Sequence, residues 1–83
     1  MSPSRGFEVR SVSVEAGIDR IYNEAEWRDA LVLVARGEIE LQAIDGDVRC
    51  FGCGSVLCLA GLPLRALRSR GTEPALLVAV SRR

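Results

Sequence analysis

From Asp29 to Arg70 the chain is cut into short β-patterned segments by glycines at Gly37, Gly46, Gly52, Gly54 and Gly61, and Gly71 closes the series. Breaks at that spacing leave no room for a long helix, and each segment is the length of one strand in a small barrel or sandwich. The predicted fold is all-β and antiparallel. Eighty-three residues supply a single small core, so one domain is expected. With 48% of residues hydrophobic and 27% charged, the balance is that of a globular protein, not of a disordered tail.

Along the chain, the apolar alternation of Phe7 and Val9 changes phase before Val12 and Val14, which predicts a bulge or a strand that switches faces. Ile18 to Tyr22 reads as a short second strand. Glu and Ala favour one helical turn between Glu24 and Asp29. Ala30 to Ala35 is a continuous apolar run, which predicts a central strand covered on both faces. After Gly37, Glu38 to Ala43 alternates strictly, with Ile39, Leu41 and Ala43 on one face. Asp45-Gly46 supplies the turn of a tight hairpin that returns through Val48 to Phe51. Val56 to Ala60 reads as another buried strand, Gly61-Leu62-Pro63 as a corner, and Leu64 to Arg70 and Ala75 to Ser81 as the last strands. Seven to eight short strands result.

The chain has no histidine, and its eleven basic residues are all arginine. The commonest metal ligand and general base is therefore missing. With no lysine, no base for a serine and no Gly-x-Ser-x-Gly elbow, nucleophilic hydrolase chemistry is not expected. Formal net charge is zero and the arginines form no basic run, so no nucleic-acid partner is expected. Residues 1 to 48 carry ten acids and five arginines, and residues 49 to 83 carry one acid and six arginines. That asymmetry suggests docking between protomers, or an anion near Arg65, Arg68 and Arg70. The longest apolar stretch, Val56 to Leu64, is too short to span a bilayer, and no apolar segment follows Met1 to Arg5. No membrane partner is expected, and the location read from this is cytoplasmic.

Three cysteines remain to be placed. Cys50 and Cys53 have the spacing of a zinc knuckle or redox pair, and Cys58 lies nearby. A closed zinc site needs a fourth ligand from a carboxylate or a second protomer. No helix N-terminus is predicted there to activate a thiolate. Cys50 and Cys58 are read as small buried strand residues and Cys53 as an exposed turn residue.

The stretch Leu31 to Leu41 around Gly37, then Asp45-Gly46, then Gly54 to Leu59, then Leu62-Pro63-Leu64-Arg65, resembles a small cupin over roughly residues 7 to 81. The resemblance implies a jelly-roll barrel, with residues 1–6 a flexible tail and 7–83 a single cupin-like domain. In that family two histidines and an acid precede the first glycine, and a further histidine follows the second motif's proline. Here those positions hold Glu24, Glu26 and Ala30, with Asp29 one residue away, and Leu64. A weaker similarity to cyclic-nucleotide-binding domains, through Gly52, Gly54, Arg65 and Ala66, lacks the acid and the helices of that family.

The reading is a noncatalytic small-ligand-binding or homodimeric assembly module without a cofactor. Its pocket is expected near Glu24, Glu26, Asp29, Leu64 and Arg65. The alternatives are a metal-dependent isomerase, cyclase or dioxygenase using the three carboxylates, or a dimer bridged by zinc through Cys50, Cys53 and Cys58.

Overall fold

The computed structural model describes residues 6–82, so nearly all of the tail expected at 1–6 lies outside the described residues. Eight strands and one helical turn follow in order: β1 (Phe7–Val14), β2 (Arg20–Ile21), α1 (Glu24–Trp27), β3 (Ala30–Arg36), β4 (Glu38–Ala43), β5 (Val48–Gly52), β6 (Val56–Cys58), β7 (Leu64–Ser69) and β8 (Ala75–Arg82). They form two antiparallel four-stranded sheets with orders β1-β8-β3-β6 and β2-β7-β4-β5. Consecutive strands cross between the sheets except at the β4–β5 hairpin, which stays within the second sheet, in the Greek-key manner of a jelly roll. Among the described residues no helix is long and apolar enough to cross a membrane.

Two local features set this path. Gly37 is the corner at which the chain leaves the first sheet for the second, and it sits at φ 78°. The backbone angle favours glycine, and a side chain there would in addition place its Cβ 3.2 Å from the Ala75 Cα, a tight contact that β8 would have to yield to. The β4–β5 hairpin closes as its sequence predicts. Gly46 takes φ 100°, and Asp45 Oδ1 accepts from the Asp47 N–H at 2.9 Å.

The core is made by the facing sides of the two sheets. Val12, Val14, Val32, Val34 and Leu77 come from the first, and Ile39, Leu41 and Leu67 from the second. Trp27, with no exposed surface, is the largest of the fully buried side chains. It arrives on α1, whose cap Asn23 accepts from the Ala25 N–H at 3.0 Å. The Arg10 guanidinium lies 5.5 Å over its ring. The indole N–H is buried without a partner, so the ring enters the core for its apolar area and not for a hydrogen bond.

Three expectations are corrected here. β1 carries no bulge: its register with β8 is unbroken from Phe7 to Val14, so Phe7 and Val9 point outward at 55% and 66% exposure while Val12 and Val14 point in. β3 is central, between β8 and β6, but covered on one face only: Val32 and Val34 are buried, whereas Leu31 and Leu33 are 56% and 39% exposed. In β6, Val56 and Cys58 are exposed, so that segment is not a buried strand. The cause is common to all three, since the outer side of the first sheet is itself apolar.

Part of the charge asymmetry is matched within one chain. Glu40 on acid-rich β4 stands opposite Arg68 on arginine-rich β7, and Arg68 also binds Asp19 at 2.7 Å. Asp19 holds the Arg68 guanidinium above the ordinary arginine range. The acids and arginines of the two halves thus interleave on the outer side of the second sheet. Removing Trp27 should matter far more than removing any such surface charge. Trp27→Ala is expected to lower unfolding free energy by about 3–5 kcal/mol, and Glu24→Ala by under about 0.5 kcal/mol, both read from urea midpoints.

Candidate functional site

A cavity of about 330 Å3 opens where the β4–β5 hairpin meets the corner before β7. Leu41, Phe51 and Leu64 form its apolar floor, and all three belong to the core or pack against it. Ala43, Leu62 and Pro63 continue the apolar wall, and Asp45, Asp47 and Arg49 stand around it. The walls are fixed by backbone bonds, with Ala43 N–H donating to Asp47 O at 2.8 Å and Ile44 N–H to Pro63 O at 2.8 Å. The hairpin and the corner are therefore one tied unit. Chemically, the arrangement is an apolar slot with charged groups at its side, of the kind that holds the body of a small molecule.

Of the residues expected at the site, the structure puts only Leu64 in this cavity. Glu24 and Glu26 do not share a face, because their segment is helical and not extended. Glu24 is exposed and lies 3.9 Å from Arg28 one turn later. Glu26 is held by two arginines: Arg20 donates to its carboxylate at 2.5 Å, and Arg10 donates to its backbone carbonyl and lies 3.7 Å from the carboxylate. Asp29 takes a left-handed φ of 59° and borders a separate shallow depression with Ala30, Leu31 and Cys58. Arg65 donates to Gln42 Oε1 at 2.7 Å, away from the cavity.

The cysteines are separated as well. All three are exposed, which corrects the expectation that Cys50 and Cys58 are buried. β5 and β6 are edge strands, and both residues point outward, on opposite sides of the sandwich. Cys50 stands opposite Glu40, and its sulfur accepts from Arg70 at 2.8 Å, which raises the Arg70 pKa. Cys53 sits in the following turn, its thiol 3.4 Å from Ala35 O. Among the described residues no three cysteine, aspartate or glutamate side chains converge on a point that could hold a metal.

Arg49 and Phe51 were missed, yet a signal for them exists. With Ile39 and Leu41 facing inward and the turn fixed at Asp45-Gly46, the hairpin register puts Phe51 opposite Ile39 and Arg49 opposite Leu41. Directly opposed residues share a face. Extending the hairpin by its own register would have placed both in the cavity wall.

No family model matches the chain, and no curated protein matches its sequence. Solved structures do. Protein NMB1881 from Neisseria meningitidis aligns over 94% of this chain and 75% of its own, with TM-score 0.70 and 17% identity. The Cupin_2 domain of an XRE family transcriptional regulator from Enterobacter cloacae aligns over 95% of this chain and 83% of its own, with TM-score 0.69 and 22% identity. The chain has the cupin-like small all-β fold. Its residues do not fit the metal centre that the cupin resemblance implies. Leu64 fills the second-motif ligand position inside an apolar cavity, and the first-motif carboxylates are exposed or bound by arginine.

Tyr22 anchors the segment leading into α1. Its N–H donates to Arg65 O at 2.9 Å and its hydroxyl to Leu59 O at 3.2 Å. Burial, reinforced by Glu24 and Cys58, pushes its pKa above the ordinary 10.0. The folded chain then holds the phenol proton to higher pH than the unfolded chain does. This contribution to stability is complete below about pH 10 and is lost as pH rises through the folded value. Thermal melts of wild type should fall across that range, and Tyr22→Phe should flatten the fall. As Tyr22 is the only tyrosine, tyrosinate absorbance reads its titration directly.

Proposed function

We propose that the chain is a noncatalytic binding module of cupin-like fold, which takes a small, largely apolar molecule with a polar head group into the cavity under the β4–β5 hairpin. The observation that carries this reading is Leu64. The family position for a metal-binding histidine is here a leucine on the floor of an apolar slot, beside Leu41 and Phe51. At about 330 Å3 the slot lies at the small end of the range for ligand pockets, which suits a single ring or a short aliphatic body. Arg49 is the group that would meet an anionic head, and Asp45 and Asp47 discourage a second negative charge on the same ligand.

A jelly roll without a catalytic centre serves by being occupied, changing what it touches when the pocket fills. Cupin-like domains also occur joined to other modules, as in the Enterobacter cloacae regulator. This reading sets the protein in the cytoplasm, where three exposed thiols stay reduced.

A thermal-shift screen of small aliphatic and aromatic carboxylates, alcohols and amines tests it. At least one compound is expected to raise the melting temperature in a saturable way. Leu64→Trp, which fills the slot, should abolish that rise, and Arg49→Ala should weaken binding of carboxylates about tenfold or more while sparing alcohols. Absence of any saturable hit, or hits indifferent to Leu64→Trp, overturns the reading.

A further inference from the structure

The charged groups at the mouth of the β4–β5 cavity are set in a column by the register of the hairpin. Phe51 stands opposite Ile39 and Arg49 opposite Leu41, and the bond from Ala43 N–H to Asp47 O carries the pairing one step further. Opposed residues share a face, so Asp47, Arg49 and Phe51 lie on the inner side of the hairpin with Ile39, Leu41 and Ala43. From the tip inward, the cavity presents an acid, a guanidinium and an aromatic ring in that order.

Both charges in the column are uncommitted. Among the described residues Arg10, Arg20, Arg28 and Arg68 are ion-paired, and Arg65 and Arg70 are hydrogen-bonded. Arg49 and the Asp47 carboxylate pair with nothing there, nor with each other. Arg36 is also unpaired, but it does not line this cavity. Asp45 differs from Asp47, because one of its carboxylate oxygens already accepts from the Asp47 N–H in the turn. Two steps along an extended strand cover roughly 6.7 Å, so Asp47 and Arg49 rise from the wall as two separate charges of opposite sign.

We infer that the ligand of this cavity is a free α-amino acid with an apolar side chain, held as the zwitterion. The assignment rests on the binding reading above and extends its head group from one charge to two. The ammonium meets Asp47, the carboxylate meets Arg49, and the side chain enters between Leu41, Phe51 and Leu64. A ligand with a carboxylate alone leaves Asp47 unanswered and comes close to like charge, and one with an amine alone does the same at Arg49. A zwitterion answers both. A cavity of about 330 Å3 with an apolar floor takes a branched aliphatic chain or one ring as the body.

Isothermal titration calorimetry of the untagged chain at pH 7 tests the assignment with two sets of three probes. One set is L-leucine, 4-methylpentanoate, which lacks the ammonium, and 3-methylbutylamine, which lacks the carboxylate. The other is L-phenylalanine, 3-phenylpropionate and 2-phenylethylamine. In at least one set the amino acid should bind about tenfold or more tightly than either analogue. Asp47→Asn, an exposed change that keeps the backbone N–H bonded to Asp45, should cut the ratio of amino acid to carboxylate affinity about tenfold, with circular dichroism as the check on folding. Single-charge analogues that bind as tightly as their amino acids, or an advantage that survives Asp47→Asn, overturn the zwitterion assignment and leave the binding reading standing. Failure of all six probes overturns the assignment too, and the binding reading falls with it only if the broader thermal-shift screen also yields no saturable hit.

Discussion

The insertion of Trp27 between the two sheets governs how the segment between β2 and β3 is laid down. Burying so large a ring requires the chain to turn helically for four residues, with Asn23 capping the turn. That turn sends Glu24 to solvent and delivers Glu26 to Arg10 and Arg20. The same Arg10 lies over the indole ring, so one arginine ties the carboxylate and the aromatic together. The apolar burial of Trp27 therefore removes the two acids from the barrel interior. The packing of one ring thereby keeps Glu24 and Glu26 from converging with Asp29, and among the described residues no carboxylate cluster forms.

The second feature lies beside the same segment, since Tyr22, just before α1, is bonded to Arg65 and Leu59 around the corner that leads into β7. There the cavity is held by the Asp45-Gly46 turn and its backbone ties to Pro63, and it keeps an apolar floor. In a site of this kind, affinity comes from apolar area and selectivity from one or two polar groups. Arg49 supplies such a group on an edge strand, where a long side chain can reach the opening while its stem covers apolar surface.

Much of the fold is legible in the residues, for identifiable reasons. Glu38 to Leu41 alternates, with Ile39 and Leu41 buried and Glu38 and Glu40 outward, and Asp45-Gly46 makes the hairpin. The expected wet face ends at Gln42, which is buried between Glu40 and Arg65 where the register shifts before Ala43. Gly37 marks a corner because a left-handed angle and a close approach to Ala75 coincide there. Ala30 to Ala35 misleads because continuous apolarity normally means cover on both sides, whereas here one side is left open. The apparent phase change in β1 has the same origin, with Phe7 and Val9 belonging to that open face. Periodicity reports hydrophobicity and not what supplies the cover, so an exposed apolar face reads as core. Of the site, Leu64 is legible from its place after Pro63, whereas the fates of Glu24 and Glu26 depend on a long-range tryptophan contact that spacing does not encode.

The central claim is that this cupin-like frame works without a resident metal because its chemistry-bearing positions have been given over to packing. Elemental analysis of purified, untagged protein, on wild type and on a variant with all three cysteines replaced by serine, tests it most directly. The account predicts first-row metals well below one per chain in both proteins. Near one zinc, iron, manganese or nickel per chain, retained through dialysis and in the cysteine-free variant, would contradict it and point back to the carboxylates of α1.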